Sequence, residues 1–285
     1  MATGEFHKMH GLGNDYVVID NRDQKIADKN VSRWAERLCE RRFSVGADGL
    51  LFVYNSSIAD VKMRIFNSDG SEAEMCGNGI RCFSKYCYEN GIVKKDEFSV
   101  ETIAGIKHVW LTLKDSEVAF VKVDMGAPNW QRSAIPMIGE GTCLNEKLEV
   151  NDETYRVSCL SMGNPHCVTF VENVDLFPVY SIGSLIENHK AFPKRTNVGF
   201  VQVSSRSELN VRVWERGCGE TLACGTGTCA AVAVANKLGK VGDKVTVHLL
   251  GGDLQIEVGK TLLMSGAAEK VFKGTLFKEA HEFDI

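Results

Sequence analysis

The amino-acid sequence predicts an α+β protein built from two pseudo-symmetric domains. Runs that alternate or are uniformly apolar, as in β-strands, outnumber the segments with helical spacing. Landmarks of the first half recur in the same order in the second half, which is the signature of an internal repeat. A turn-forming cluster, GAPN at 126–129, lies between the halves and is the best candidate for a domain boundary.

Three pairs of landmarks define the repeat, and all three are collinear. They are GN at 13–14 and 163–164, RFSVG at 42–46 and RTNVG at 195–199, and MCGNG at 75–79 and ACGTG at 223–227. Chance supplies one such match readily, but not three in the same order. We therefore expect two related domains, residues 1–126 and residues 127–271.

The individual elements follow from apolar spacing and from turn residues. In the first half, apolar residues at helical intervals predict a helix over 30–42, and a second helix follows Gly79 and ends at Gly91. In the second half, helices are predicted around 181–189 and directly after Cys224. Strands are predicted at 5–10, 16–20, 50–54, 61–66, 98–102, 105–113, 118–125, on both sides of the turn in 155–171, at 194–203 and 209–217, and in several runs up to about 271.

Composition and charge exclude several classes of protein. The net charge of −4 gives no basic surface for nucleic acid. The N-terminus has no apolar signal core, and no segment approaches the length of a membrane span. These features predict a cytoplasmic protein. In that setting the ten cysteines are expected as free thiols, catalytic groups or metal ligands rather than as disulfides.

Cys224 stands at the start of an unusual helix. It precedes a glycine-flanked turn, Gly225–Gly227, and the uncharged run CAAVAVA follows, ending near Lys237 and Gly239. So uniform an apolar run predicts a helix buried on every side. The unpaired N–H groups and the positive dipole at its N-terminus favour a thiolate and can hold a carboxylate or phosphate. Taken alone, Cys224 fits equally well as a small apolar filler in a core turn.

The repeat adds a second cysteine at an equivalent position. Cys76 in MCGNG matches Cys224 in ACGTG, and a helix follows each. If a pseudo-twofold relates the halves, the two helix starts would face each other and the two thiols would approach one carbon from opposite sides. Racemisation or epimerisation requires such an opposed acid and base, one cysteine as thiolate and the other as thiol. Preorganised donors must then stabilise the charge that develops on the substrate carboxylate.

Longer motifs around these landmarks resemble those of the diaminopimelate epimerase family over essentially the whole chain. They are HGLGNDYVVID, SVGADG, FNSDGSEAEMCGNGIRC, MGNPHCV, RTNVGF and ERGCGETLACGTGTCA, in the family's order. The resemblance implies cofactor-independent interconversion of LL- and meso-diaminopimelate on the route to lysine and peptidoglycan, without pyridoxal phosphate or a metal. It implies two domains, each a curved, mainly antiparallel, barrel-like sheet around a central helix. It also implies that the C-terminal segment 272–285 returns to the first domain, and that the protein is a homodimer.

The resemblance also assigns roles to individual residues. Cys76 and Cys224 correspond to the two catalytic bases, and His166 and Glu215 correspond to residues that support proton transfer and contact the substrate. The residues that bind the substrate, chiefly its non-reacting end, correspond to Asn14, Asn67, Asn164, Asn197 and Arg216. The backbone donors for the reacting carboxylate correspond to Gly77, Asn78, Gly225 and Thr226.

Two features depart from the pattern or leave a choice open. Gly49 stands where some relatives carry glutamine, so one substrate contact is expected to be missing or replaced. Glu72 and Glu220 each lie four residues before a catalytic cysteine. They could be catalytic carboxylates, but we expect a structural role near the turn.

Two other functions would account for part of this pattern. Proline racemases and hydroxyproline epimerases share the fold and the cysteine pair, but they typically have a histidine two residues after the first cysteine, where this chain has Asn78. A zinc or redox-thiol protein would account for ten cysteines. However, the sequence has no C-x2-C pair, and its cysteine spacings exceed those usual for zinc.

Overall fold

The computed structural model describes residues 4–277, which divide into two compact units. The first unit extends to Val123 and resumes at Gly266, and the second is Asp124–Ser265. The sequence places the same divisions slightly later, after residues 126 and 271. Residues 278–285 of the expected C-terminal return lie outside the described residues. No helix in the described part of the chain is both long and apolar enough to cross a membrane.

Backbone pairing explains why the divisions fall earlier. The N–H of Met125 donates to the carbonyl of Leu262 (2.9 Å), and the N–H of Leu262 donates to the carbonyl of Gly126 (3.0 Å). Met125 and Gly126 therefore belong to the second unit. At the other division, Glu269 already pairs with His10 of the first unit.

The first unit, up to Val123, contains eight strands and two α-helices. They are β1 (Glu5–Gly11), β2 (Asn14–Asp20), α1 (Val31–Cys39), β3 (Gly49–Tyr54), β4 (Val61–Asn67), β5 (Glu72–Ala73), α2 (Gly77–Glu89), β6 (Glu97–Thr102), β7 (Gly105–Lys114) and β8 (Glu117–Asp124). Antiparallel pairs β1–β2, β3–β4 and β6–β7–β8 are joined through the parallel pairs β2–β3 and β4–β6. The short strand β5 pairs with β4 and leads directly to α2.

Both faces of this sheet are covered, because a helix packs on each side. Val17, Leu50 and Phe52 belong to one core cluster with residues of α1. The alternate residues Tyr16 and Leu51 point the other way, and both approach Gly79 of α2. This double burial explains the uninterrupted apolar runs of β2 and β3.

The second unit repeats this arrangement strand for strand. Its elements are β9 (Cys143–Val150), β10 (Glu153–Ser161), β11 (Pro165–Phe170), α3 (Val179–Glu187), β12 (Asn197–Ser205), β13 (Glu208–Glu215), β14 (Gly219–Thr221), α4 (Gly225–Lys237), β15 (Lys244–Leu249), β16 (Gly252–Val258) and β17 (Leu262–Gly266). The pairs β10–β11 and β12–β13 are antiparallel, β11–β12 and β13–β15 are parallel, and β15–β16–β17 is antiparallel. The predicted internal repeat and the α+β fold class are therefore confirmed.

One strand position is filled differently in the two units. In the second unit, the strand beside β10 is β9, which precedes it in the chain. In the first unit, the strand beside β1 is β18 (Glu269–Thr275), which comes from the C-terminal end of the described chain. The first unit is thus completed by β18, a strand that follows the second unit in the chain.

Four elements differ from the expectation. Helix α1 ends at Cys39 because Glu40 is extended (ψ 109°) and Arg42 has a positive φ of 76°. The segment before Cys76, where no strand is expected from the sequence, contains the short strand β5, and β14 holds the same place before Cys224. Strand β9 has an exposed polar centre, so it lacks the apolar alternation that would reveal it. It forms because it pairs with β10.

Gly183 lies within α3, where it allows this helix to approach Trp214 of β13. A Cβ added at Gly183 would lie 2.7 Å from both Cβ and Cγ of Trp214. Alanine favours a helix over glycine by about 1 kcal/mol, whereas overpacking a core costs about 1–3 kcal/mol or more. We expect the steric effect to dominate, so that Gly183→Ala lowers the free energy of unfolding by about 1–2 kcal/mol in urea denaturation.

Gly199→Ala is a matched control for this prediction. Its added Cβ would come no closer than 3.8 Å to Cγ2 of Val168, an ordinary contact. Stability should therefore change little in Gly199→Ala. A Gly183→Ala protein as stable as the parent would contradict the packing argument.

Candidate active site

Cys76 is the N-cap of the buried helix α2. Its backbone is extended (φ −138°, ψ 125°), and its Sγ accepts a hydrogen bond from the N–H of Gly79 at 3.5 Å. The short β4–β5 hairpin delivers the cysteine to this position. The thiol therefore meets the positive end of the helix dipole, as the sequence predicts.

Asn14 and Tyr16, neighbours on β2, complete the surroundings of Cys76. The hydroxyl of Tyr16 lies 2.9 Å from Sγ of Cys76 and 2.6 Å from Oδ1 of Asn14. Nδ2 of Asn78 donates to the same Asn14 oxygen at 3.2 Å. Arg81, fully buried one turn into α2, donates to Oδ1 of Asn78 at 3.0 Å. The sequence interpretation names Asn14 and Asn78 but misses Tyr16.

Cys224 occupies the matching position at the start of α4. Its Sγ accepts from the N–H of Gly227 at 3.4 Å and lies 3.6 Å from the hydroxyl of Thr226. Nδ2 of Asn164 donates to this hydroxyl at 3.3 Å. The helix after Cys224 is buried from Gly225 to Ala235 apart from half-buried Thr226, and it ends at Lys237, as predicted.

Burial and the nearby Glu215 favour the protonated form of Cys224. Burial raises the pKa of the Cys224 thiol well above its usual value, and the nearby Glu215 carboxylate raises this pKa further. The bonds from Thr226 and the Gly227 N–H act in the opposite direction but do not outweigh burial. Thr221 donates to Oε1 of Glu215 at 2.6 Å and holds the carboxylate in place. Cys224 is therefore a thiol at neutral pH in this structure.

His166 reaches Cys224 only through other residues. Its Nε2 lies 2.9 Å from Oδ1 of Asn164, and the ring is 1% exposed. Burial, with a smaller effect of the Arg216 charge, lowers the pKa of His166 to about 3. The ring is neutral at physiological pH, and because an amide oxygen can only accept, Nε2 must bear the proton.

The remaining predicted ligands lie at the ends of β4, β12 and β13. Nδ2 of Asn197 donates to Pro165 (2.7 Å) and its Oδ1 accepts from the backbone N–H of Arg216 (2.9 Å), so Asn197 positions the segment that carries Arg216. The Arg216 side chain is exposed. Asn67 is also exposed, and its side chain donates to Ser71 at 3.0 Å. None of these three has a described hydrogen bond to the cysteine of its own unit.

Buried Glu187 of α3 binds the segment that carries Glu215 and Arg216. Its carboxylate accepts hydrogen bonds from the indole N–H of Trp214 (2.7 Å) and the backbone N–H of Gly217 (2.9 Å). It also accepts one from Arg195 (3.2 Å). Two of these donors flank Glu215 and Arg216 in the chain, so Glu187 fixes where both predicted site residues stand.

Two arginine–glutamate pairs settle the role of the glutamates that precede each cysteine. Arg64 donates two hydrogen bonds of 2.6 and 2.9 Å to the carboxylate of Glu72. Arg212 likewise donates two hydrogen bonds of 2.6 and 3.0 Å to the carboxylate of Glu220. Each pair joins the two strands of the hairpin that leads to Cys76 or to Cys224. The expected structural role of both glutamates is therefore observed, and their arginine partners were missed.

Gly49 has a steric reason to be glycine in this chain. A Cβ there would lie 2.7 Å from the carbonyl oxygen of Phe66 and 3.2 Å from the ring of Tyr16. The glutamine of some relatives would therefore require a shift of this backbone. Gly49 also faces Asn67 across the β3–β4 pair, at the edge where the predicted ligands begin.

The two units thus assemble similar groups of predicted site residues. The first brings together Cys76, Asn14, Gly77 and Asn78, and the second brings together Cys224, Asn164, His166, Thr226 and Glu215. Among residues 4–277, no three histidine, cysteine or acidic side chains form a group suited to a metal ion.

Solved structures with this fold include proteins named for epimerisation and for phenazine biosynthesis. A hydroxyproline epimerase from Agrobacterium vitis aligns over 96% of this chain and 92% of its own, with a TM-score of 0.71 at 15% identity. A phenazine biosynthesis protein of the PhzF family from Bacillus anthracis aligns over 97% of this chain and all of its own, with a TM-score of 0.70 at 19% identity. These likenesses show that the chain shares the fold of both proteins, one of which is named an epimerase.

Sequence comparison identifies the family of the chain. The model of the diaminopimelate epimerase family matches residues 6–131 and 158–271. A diaminopimelate epimerase from Moorella thermoacetica is 54% identical over 94% of this chain and 98% of its own length. One from Methanococcus maripaludis is 48% identical over 95% of this chain and 99% of its own. The chain belongs to the diaminopimelate epimerase family.

Proposed function

We propose that the protein converts LL-2,6-diaminopimelate to meso-diaminopimelate by a two-base mechanism that uses Cys76 and Cys224. The observation that supports this most directly is the repetition of one arrangement. In each unit a cysteine caps a buried helix, accepts a backbone N–H, and has a hydroxyl group near its sulfur. Epimerisation requires one group that removes a proton and another that returns it, and two thiols in similar surroundings can fill these two roles.

The proton balance of the reaction is simple. The thiolate of one cysteine removes the α-proton and becomes a thiol, and the electron pair is delocalised onto the substrate carboxylate. The thiol of the other cysteine then gives its proton to the opposite face of the carbon and becomes a thiolate. Burial and the Glu215 carboxylate favour the thiol form of Cys224, so we propose that Cys224 is the proton donor and Cys76 the base in the first turnover.

The helix N-termini would stabilise the charge formed between these two steps. We propose that the backbone N–H groups of Gly77, Asn78, Gly225 and Thr226 receive the reacting carboxylate. Donors at the start of a helix are fixed before the reaction and need no reorganisation when charge develops.

The other predicted ligands suit the non-reacting end of diaminopimelate, which bears an ammonium and a carboxylate group. We propose that exposed Arg216 pairs with this carboxylate, a bidentate contact that guanidinium groups favour. Amide groups of Asn14, Asn67, Asn164 and Asn197 would supply further hydrogen bonds, and Glu215 would contact the substrate as well as Cys224. The anchors on Asn197 and Glu187 hold the segment of Arg216 in place for this role.

Exchange of the α-hydrogen with solvent tests the proposal. Purified protein, reduced and in deuterium oxide, should incorporate deuterium at the α-carbon of diaminopimelate with no added cofactor. Proline, glutamate and lysine serve as comparison substrates, and faster exchange into proline would favour the proline racemase alternative. No exchange into diaminopimelate by reduced, folded enzyme would rule the proposal out.

We further propose a cytoplasmic homodimer that supplies a precursor of lysine and peptidoglycan. All ten cysteines are free thiols in the structure, which agrees with a reducing compartment. The homodimer rests on resemblance to the family. Light scattering of the purified protein tests it, and a monomer at assay concentration would contradict it.

A further inference from the structure

Tyr16 is a buried residue for which the proposed mechanism has no role as yet. Its side chain is 4% exposed, and its hydroxyl is placed between Sγ of Cys76 at 2.9 Å and Oδ1 of Asn14 at 2.6 Å. A phenol has one proton, so it can donate to only one of these atoms at a time.

The orientation of Asn14 decides where that proton lies. Nδ2 of Asn14 is 2.8 Å from a carboxylate oxygen of Asp48, which can only accept, so this nitrogen is correctly placed and Oδ1 faces Tyr16. Because Oδ1 cannot donate, the hydroxyl of Tyr16 must donate to it. The remaining contact requires Cys76 to donate its S–H to the phenol oxygen. The described arrangement is therefore that of Cys76 as a thiol.

When Cys76 loses its proton, the same three groups have a second satisfied arrangement. The Tyr16 hydroxyl turns by rotation about its C–O bond and donates to the thiolate. The phenol oxygen and Oδ1 of Asn14, which are 2.6 Å apart while they share this proton, then move apart because both are acceptors. Oδ1 of Asn14 still accepts from Nδ2 of Asn78 at 3.2 Å, so no buried acceptor is left without a donor. A charge-assisted bond to the thiolate is stronger than the neutral bond it replaces.

We propose that Tyr16 is a positioning residue whose hydroxyl switches from Asn14 to Cys76 and thereby stabilises the thiolate form of this cysteine. The inference rests on the proposed role of Cys76 as a base. It assigns to Tyr16 a neutral hydrogen bond only, and no proton leaves its oxygen.

The surroundings keep Tyr16 protonated during this switch. Burial raises the pKa of Tyr16 well above its usual value, and the neighbouring Cys76, Cys82 and Asp48 raise it further. The positive group of α2 in this network is Arg81, which donates to the carbonyl of Gly77 and to Asn78. Asp48 in turn pairs with Arg41, which also pairs with Asp15 of β2.

The second unit provides a hydroxyl in a different way. His166 follows Asn164 as Tyr16 follows Asn14, and both bond to the asparagine Oδ1. His166 does not reach the sulfur, and Thr226 on α4 provides the hydroxyl instead. Thr226 accepts from Asn164, which leaves its own proton available for Cys224. A hydroxyl group therefore lies near each sulfur. In the first unit it belongs to Tyr16 on strand β2, and in the second unit it belongs to Thr226 on helix α4.

Alkylation of Cys76 without substrate tests the inference independently of epimerisation. Iodoacetamide labelling of the Cys76 peptide, followed by mass spectrometry across pH, gives the pH midpoint at which the thiolate forms. In Tyr16→Phe, which retains the ring, this midpoint should rise by about one pH unit. The control Tyr54→Phe removes a buried hydroxyl bonded to Asn21 and Asp28, and the midpoint should not move.

A second measurement does not depend on the folding of a variant. Biosynthetic incorporation of 3-fluorotyrosine makes the phenol a stronger donor and should shift the Cys76 midpoint downward. Equal midpoints in the parent, Tyr16→Phe and fluorinated proteins would overturn the inference. If the parent fails to exchange the α-hydrogen of diaminopimelate, the proposed function fails, whereas the alkylation result stands on its own.

Kinetics should show the same switch. In Tyr16→Phe, the acidic limb of the plot of kcat against pH should move upward by about one pH unit. The value of KM should change little, because Tyr16 is buried and contacts Cys76 rather than solvent. A change in KM with an unmoved pH profile would assign Tyr16 a merely structural role.

Discussion

Replacing either Cys76 or Cys224 by alanine is expected to abolish epimerisation of diaminopimelate. Each variant lacks the group that removes or returns the proton on one face of the α-carbon. A positioned acid or base typically contributes about 10²–10⁴-fold to a rate, and no other acid or base group has a described contact with either sulfur except Glu215 and Tyr16. We therefore expect a loss of kcat of about 10²–10⁴-fold in each single variant, measured by conversion of the LL to the meso isomer.

Loss of a helix cap must be separated from loss of the reaction. Each sulfur accepts the N–H of the third helical residue, and removing an N-cap costs about 1 kcal/mol. Urea denaturation should therefore show folded but slightly less stable variants. Cys218→Ala is the control, since this exposed cysteine lies in the same segment as Arg216 and should leave turnover intact. Substantial turnover in Cys76→Ala or Cys224→Ala would rule out the two-base scheme.

The parts of the fold that the sequence predicts well are those in which one pattern dominates. The run after Cys224 is apolar on every side, and α4 is buried as expected, with its end at Lys237. The repeat is visible because the turns around the two cysteines use the same small residues. By contrast, β9 presents Asn145–Lys147 to solvent, and only its pairing with β10 makes it a strand.

The site residues that sequence interpretation misses are hidden by context. Tyr16 stands in the apolar run YVVI and looks like a core residue, although it lies as far from Asn14 as His166 lies from Asn164. Arg64 and Arg212 likewise lie at the same distance before Asn67 and Glu215. Comparing the two halves position by position would have found all three. Their partners could not be inferred, because each contact depends on strand register.

Lowering the pH is expected to destabilise the protein through His166. Burial lowers the pKa of this ring from 6.5 to about 3 in the folded state. In the unfolded chain the ring binds a proton below about pH 6.5, whereas the folded protein must keep it neutral. The stabilising contribution is therefore fully present above the unfolded pKa, and it is lost as pH falls towards the folded value.

The size of this effect follows from linkage. One pKa unit corresponds to about 1.4 kcal/mol, so His166 alone should lower the free energy of unfolding by about 3 kcal/mol between about pH 7.5 and about pH 4. Other groups act in the same direction. The pKa of His7 is lowered mainly by burial, and hydrogen bonds from Arg41 and Lys8 outweigh burial and lower the pKa of Asp15 to about 2. A variant that removes only the His166 titration is needed to separate them.

His166→Gln provides that separation, because glutamine does not titrate and retains an N–H donor for Asn164. Urea denaturation of the parent and the variant at both pH values gives the loss of unfolding free energy on acidification for each protein, and the two losses are then compared. The parent should lose about 3 kcal/mol more than the variant on acidification. His108→Gln, at an exposed position, should leave the parent's pH dependence unchanged. Equal losses in parent and His166→Gln would show that the ring is already protonated in the folded protein. His166 could then not serve Asn164, and through it Thr226 and Cys224, as a neutral donor.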